Sequence, residues 1–437
     1  MGLESVGDLA LHIILRKLGA QDSARAACVS KQLRASASED PLWSHFCALD
    51  LHLSQPFDPH GNLSPSFKAC YQLWRESFIM YPWSLVKRVQ RCWAKITNWL
   101  ALNFPEAHSS LNKGASEAEI QDLENLLQVK LPLPTRILYR FHNGQDLDDF
   151  TRFGNAPLLG LIGGYSFYDH LVNVSLLPLD QIVLETKFLM EKLGFLASQG
   201  YILVAASSMY SEKFFLLNCT SGQLHVGTRK LVSDGEMLPC VPNALVNSVH
   251  DQQQDAVLLW LEEHGRRLEN GVIKIRGEGT MRSICLFPEA SPLCSTAVTS
   301  GVQVRCSSVF VPEFCDLQHT SQKYYFSYSI RMSLLPEGCC INGMTFNSCQ
   351  LLSRHWLIRA NDVVVANVNG EAVIGKFPLL RPGEKEFVYE SCTPLPSASG
   401  SIEGYFVFVP GRLAVPKGSG FRALAAGFPL QLPDYIF

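Results

Sequence analysis

The chain has little charge and no long apolar run. Only 18% of its 437 residues are Asp, Glu, Lys or Arg, and the formal net charge is −3. That balance gives no general reason to expect binding to nucleic acid or to a membrane surface. No stretch of about 18 apolar residues occurs, so no transmembrane helix is expected. No basic stretch leads into an apolar core at the start, so no signal peptide is expected either. The fourteen cysteines never fall in Cys-x-x-Cys, and no Cys/His set has zinc spacing, so no metal is expected. Cys339 and Cys340 are adjacent, a pairing that rarely bridges. Scattered thiols of this kind fit a reduced chain in the cytoplasm or nucleus. There is no Gly-x-Ser-x-Gly elbow, no His-Glu-x-x-His and no Walker-type loop. The sequence therefore gives no reason to expect an enzyme or a cofactor.

Apolar bulk is what the chain does have. Hydrophobic residues make up 47% of it, which fits a globular chain of two to four domains. The first 50 residues concentrate that bulk. Leu9, Leu11, Ile13, Ile14, Leu15 and Leu18 cover more than half of one helix, with Asp8 as a fair N-cap and Gly19 as a stop. Asp22 can cap a second helix carrying Ala26, Cys28 and Val29. Lys31-Gln32-Leu33-Arg34 opens a third stretch, which Leu42, Trp43 and Phe46 close. About 45 residues cannot bury this much apolar surface alone, so the surplus points to an interface. The same spacing also fits a helical hairpin packed on the rest of the chain.

Ile14-Leu15, Leu18, Asp22, Val29-Ser30-Lys31, Leu33-Arg34 and Leu42-Trp43 resemble the F-box, and Gly7-Asp8 stand near the family's early proline. The F-box is a helical module that docks on the Skp adaptor of cullin-based ubiquitin ligases. The resemblance implies that Leu11, Ile14, Leu15, Leu18, Val29 and Trp43 serve docking, either at the contact or as the core behind it.

Residues 51–84 read as a helical connector, aromatic from Tyr71 to Trp83 and broken by Pro82. Residues 85–275 read as an α+β domain. Ser116-Glu117-Ala118-Glu119 is a capping box, and Ile120, Leu123, Leu126 and Leu127 follow at helical spacing. A second helix is expected from about Thr135 to His142, stopped by Asn143-Gly144. Tyr201–Ala206, Lys213–Leu217 and Gln223–Val226 read as strands, and Asp255–Leu268 as an amphipathic helix. Gly114-Ala115-Ser116, Glu119-Ile120, Glu124, Leu131-Pro132 and Phe141-His142-Asn143-Gly144-Gln145 are similar to the SUKH superfamily, which implies a protein-binding scaffold. His142 is a weak catalytic candidate, since a histidine beside a helix end usually meets carbonyls there.

After a linker expected at 276–295, the period changes to two. Val302, Val304 and Cys306 alternate, as do Tyr324, Phe326, Tyr328, Ile330 and Met332. Leu352, Trp356 and Ile358 form another set, and Phe387, Tyr389 and Ser391 a further one. Residues 296–437 therefore read as an antiparallel, Ig/fibronectin-like β-sandwich. Tyr325-Phe326-Ser327-Tyr328, Gln350–Trp356, Val368–Gly375, Leu380-x-Pro382-Gly383 and Gly400–Tyr405 resemble the ApaG family over nearly the whole domain. That family has Gly-x-Gly-x-x-Gly where this chain has Gly370, Ala372 and Gly375. Pro378 and Pro382 exclude a long helix after it, so a strand-turn element is favoured over a phosphate site. Arg354 and Trp356 are better ligand-facing candidates, but His355 falls on the other face of the strand, and packing is the favoured role.

The whole reads as a multidomain α+β chain. The order F-box, SUKH-like, ApaG resembles the animal F-box-only proteins and the plant Skp-interacting-partner F-box proteins. It implies a non-catalytic substrate receptor that docks the Skp adaptor at one end and an unidentified target protein at the other. The alternative is a small-ligand or phosphate sensor working through the ApaG domain.

Overall fold

The computed structural model describes residues 7–59, 61–146, 158–192, 200–207, 213–246, 254–277, 281–319 and 321–437. Helix α1 (Asp8–Ala26) is broken at Gly19, whose φ of 79° and ψ of 171° are open to a residue without Cβ. The break falls where the sequence puts a stop. Asp22, expected as a cap, lies inside the second half of α1, and its carboxylate accepts from Arg25 at 2.9 Å. Helix α2 (Lys31–Ser36) is capped by Ser30, which accepts from the Leu33 N–H at 3.2 Å. Helix α3 (Asp40–Leu51) has Pro41 in its first turn, where no helical N–H is lost.

Helix α4 (Phe67–Ser77) and helix α5 (Trp83–Asn103) are separated by Pro82, which stands at the N-cap of α5. Tyr71 donates to Asp50 at 2.6 Å and Gln90 donates to the Leu51 carbonyl at 2.7 Å, tying α4 and α5 to α3. The other side of α5 packs on the helix Ala256–Glu269. Gly265 allows that approach, since a Cβ there would lie 3.2 Å from Ile96, and the Arg88 fork grips Glu262 at 2.8 and 2.7 Å. The opening module is thus fixed to the central domain.

After α6 (Pro105–Ser109), α7 (Glu117–Leu127) begins with the expected capping box: Glu119 N–H to Ser116 at 3.2 Å and Ser116 N–H to Glu119 at 2.6 Å. Helix α8 (Leu133–Phe141) follows. The strands are β1 (Gly163–Phe167), β2 (His170–Leu176), β3 (Tyr201–Ser207), β4 (Lys213–Asn218), β5 (Leu224–Gly227), β6 (Met237–Pro239), β7 (Lys274–Arg276) and β8 (Ser283–Cys285). They form one sheet in the order β6-β5-β4-β3-β2-β1-β8-β7. The helix Leu179–Lys192 packs on β3 and α7, and Val257, Leu258, Trp260 and Leu261 of the helix Ala256–Glu269 are buried as expected.

The stretch 276–295, expected as a linker, supplies β8 to this sheet and the buried side chain of Glu289. Arg276, Arg305 and Arg331 meet that carboxylate at 2.7, 2.8 and 2.6 Å. Burial raises the cost of a charge there, but Arg276 and Arg331 outweigh it and hold the Glu289 carboxyl below its usual range.

The C-terminal sandwich has a four-stranded sheet, β17-β11-β10-β9, built from β9 (Cys294–Thr299), β10 (Val302–Phe310), β11 (Tyr324–Leu334) and β17 (Phe387–Leu395). The facing sheet runs β15-β14-β18-β19, with β16 on β14 and β20 on β18. Its members are β14 (Cys349–Ala360), β15 (Val363–Glu371), β16 (Leu379–Leu380), β18 (Ser399–Arg412), β19 (Val415–Pro416) and β20 (Phe421–Gln431). A small hairpin, β12 (Cys339–Ile341) and β13 (Met344–Phe346), stands apart. Phe326, Ile330, Met332, Trp356, Phe406, Phe408 and Phe428 fill the space between the sheets. One inward assignment fails. Leu352 is exposed and Leu351 is buried in its place, because the pairing of β14 with β18 shifts between Leu351 and Ser353. A bulge of that kind reverses the faces of a strand.

Candidate docking surface and the domain junction

The six candidate docking residues separate into two groups. Leu11, Leu15 and Trp43 are core, each at most 3% exposed. Leu11 and Leu15 lie four apart on α1 and pack among Leu33, Leu42 and Phe46. The Trp43 indole donates to the Ala37 carbonyl at 2.7 Å and meets Phe46 and Tyr71 edge-on. Ile14 is half-buried. Leu18 and Val29 are 47% and 75% exposed. Seven residues after Leu11, Leu18 would face inward on a straight helix, but it stands at the Gly19 break. It lines a groove of about 760 Å³ with Ala27, Cys28 and Arg75.

Leu9 and Ile13 are exposed as well, at 78% and 49%. Sequence pattern alone places them only within the apolar helix. Their spacing of four, out of phase with Leu11 and Leu15, is the signal that could have marked them. Four large aliphatic side chains thus stay in water on a module whose own core is full. Covering such side chains is worth about 1.5–3 kcal/mol each, so a second surface is the natural complement.

The ligand-facing candidates are taken up by packing. Trp356 is buried in the sandwich against Phe406 and Phe428. Arg354 donates to the carbonyls of Glu371 and Ala372, at 3.1 and 2.6 Å, and its guanidinium covers Gly370. The chain then turns through Ala372, Ile374 and Gly375 at positive φ and reaches β16 without a helix. His355 faces outward, bonded to Asn367 at 2.8 Å and stacked on Tyr405. The cationic group a phosphate would need is thus already engaged by main-chain oxygens.

His142 caps α8, but its ring bonds the Asn112 carbonyl at 3.0 Å and packs on Trp93, so its carbonyl comes from a neighbouring loop and not from the helix end. Burial pushes its pKa down to about 4. His264 is fully buried, donates to the Leu161 carbonyl at 2.9 Å, and is also pushed down to about 4 by burial. Both folded values lie below the unfolded one, so their contribution is complete above about pH 6.5 and is lost as pH falls toward 4. The loss is on the order of 3 kcal/mol per ring at the acid limit. Urea midpoints should fall between pH 7 and pH 4.5, and less steeply in His264→Gln. A flat profile across that window would overturn the assignment.

The two larger domains meet at a buried polar cluster that sequence reasoning missed, because charged residues read as solvent-facing. Glu313 accepts from Tyr165 at 2.7 Å and bonds His170 at 2.9 Å, with the Lys213 ammonium at 3.7 Å. Lys213 also donates to Tyr165 at 2.9 Å and to the Phe437 main-chain oxygen at 2.7 Å. Burial opposes both charges. It lowers the Lys213 pKa, while Lys213, His170 and Tyr165 together hold the Glu313 carboxyl below its usual range. Close by, the Trp260 indole donates to the Ile436 carbonyl at 2.7 Å and stacks on Phe437. Residues 432–437 thus plug the central domain. A separate cleft of about 860 Å³ opens between α7 and the helix Leu179–Lys192.

An F-box domain matches at residues 5–45 and an ApaG domain at 316–410. The chain is 59% identical to F-box protein SKIP16 of Arabidopsis thaliana over 442 aligned positions, covering 100% of both chains. It is 26% identical to human F-box only protein 3, covering 93% of this chain and 79% of that one. Protein ApaG of Anaeromyxobacter dehalogenans is 35% identical over 32% of this chain and 98% of its own. With an exposed apolar face on the opening module and a β-sandwich behind the central domain, the chain belongs to the F-box proteins that carry an ApaG domain.

Proposed function

We propose that the chain is the substrate-recognition subunit of a Skp-cullin-F-box ubiquitin ligase, working in the cytoplasm or nucleus. In this reading the F-box docks the Skp adaptor, the central and ApaG domains hold a target protein, and ubiquitin transfer belongs to other subunits. The observation that carries the reading is the exposure of Leu9, Ile13, Leu18 and Val29 on a module whose own core is complete. The SUKH-like residues around the capping box support a scaffold role for the central domain, and the cleft beside α7 offers a surface for it. Co-expression of the full chain with a Skp adaptor, followed by size-exclusion chromatography, tests the reading. Co-elution at one-to-one stoichiometry is expected. A folded chain that elutes alone removes the proposal.

A further inference from the structure

Among the described residues, strand β15 ends its sheet and has β14 as its only strand neighbour. Natural edge strands are usually blunted by lysine, proline or shortness. This one runs for nine residues, Val363–Glu371, with neither lysine nor proline. Val363, Val364, Val365 and Val368 are all exposed, while Ala366 packs against the core. The Ala372 N–H meets the Leu352 carbonyl at 3.1 Å, and Gly370 and Val368 follow opposite Arg354 and Trp356. The alternation of an antiparallel ladder then points the amides and carbonyls of Asn367 and Asn369 away from β14, whereas the Glu371 carbonyl is taken by the Arg354 side chain.

Charge decides which strand fits. Asp362 and Glu371 stand exposed at the two ends of β15, and neither has an ion-pair partner among the described residues. The neighbouring arginines are engaged elsewhere: Arg354 on main-chain carbonyls and Arg359 on Glu403. Two copies pairing antiparallel through β15 would bring Asp362 of each toward Glu371 of the other. Like charges set opposite each other disfavour that pairing. A strand with basic ends gains at both.

We propose that β15 is an open docking edge that accepts, as an added strand, an extended β-branched segment of a partner protein flanked by Lys or Arg. The proposal rests on the reading that the ApaG domain holds the target, and it names the class of segment held.

The test uses the purified full chain and a labelled nine-residue peptide of alternating Thr and Val with Lys at each end, followed by fluorescence anisotropy. Saturable binding is expected. Replacing the peptide's Lys with Glu should weaken it roughly tenfold. N-methylating alternate amides on the pairing edge should abolish it. The variant D362K/E371K should reverse the preference and favour the Glu-flanked peptide. No saturable binding, indifference to peptide charge, or binding that survives N-methylation overturns the proposal. So does a dimer in sedimentation that saturating edge-directed peptide dissociates. Adaptor co-elution is measured on the same preparation. Peptide failure with intact co-elution sinks the edge alone, whereas lost co-elution with intact peptide binding sinks the ligase reading alone.

Discussion

Leu18→Asp combined with Val29→Asp should abolish co-purification with a Skp adaptor while leaving the chain folded. Both side chains are largely in water, so a carboxylate at either position costs the fold little. At the interface each becomes a charge buried against an apolar partner. Loss of one anchor costs about 2 kcal/mol, roughly thirtyfold in affinity, and the pair together about a thousandfold if independent. Leu15→Asp is the informative control. Leu15 is 1% exposed, so its variant should unfold the module and lower binding through stability. A thermal melt separates the two routes. If Leu18→Asp with Val29→Asp binds normally, the docking face lies elsewhere.

Glu313→Gln should lower the unfolding free energy by about 3–5 kcal/mol, because it leaves the Lys213 ammonium buried without a counter-charge. The carboxylate is also the shared acceptor for Tyr165 and His170, so the amide cannot satisfy all three partners. The double variant Glu313→Gln with Lys213→Met should recover part of the loss by removing the stranded charge. Recovery stays incomplete because the Phe437 oxygen and the Tyr165 hydroxyl lose their lysine donor. The sign with pH follows from the depressed carboxyl. The contribution is present above the usual carboxylate range and disappears as pH falls through the lowered value. Urea titration of the three proteins checks this, and equal midpoints for wild type and Glu313→Gln would refute it.

Elements with a strong period were legible in the sequence. The capping box at Ser116, the stop at Gly19 and the inward series of β11 follow from local chemistry alone. What failed were places where a neighbouring domain supplies the environment. Ser327, Ser329 and Arg331 alternate with the core residues of β11, a pattern that predicts solvent exposure, yet all three are buried. Ser329, for example, accepts from Arg276 at 2.9 Å. Lys213, Glu289 and Glu313 are hidden from pattern for the same reason. Strand β8 has three residues, too few for any period to register. Within the docking module, pattern named the core behind the surface more readily than the surface itself. Core positions repeat, whereas Leu9 and Ile13 show their role only once the opposite face of α1 is seen to be full.

The plug formed by residues 432–437 bears on how the chain is made. Trp260 waits for Ile436, 176 positions further along, before its indole N–H has an acceptor. Contacts of such separation close slowly, because a long loop must be ordered first. On a ribosome the central domain therefore emerges with an open wall and stays incomplete until nearly the whole sandwich has been synthesised. Expression of residues 1–295 alone should give a collapsed, aggregation-prone product. The central domain is therefore expected to need residues 432–437 to complete its own wall.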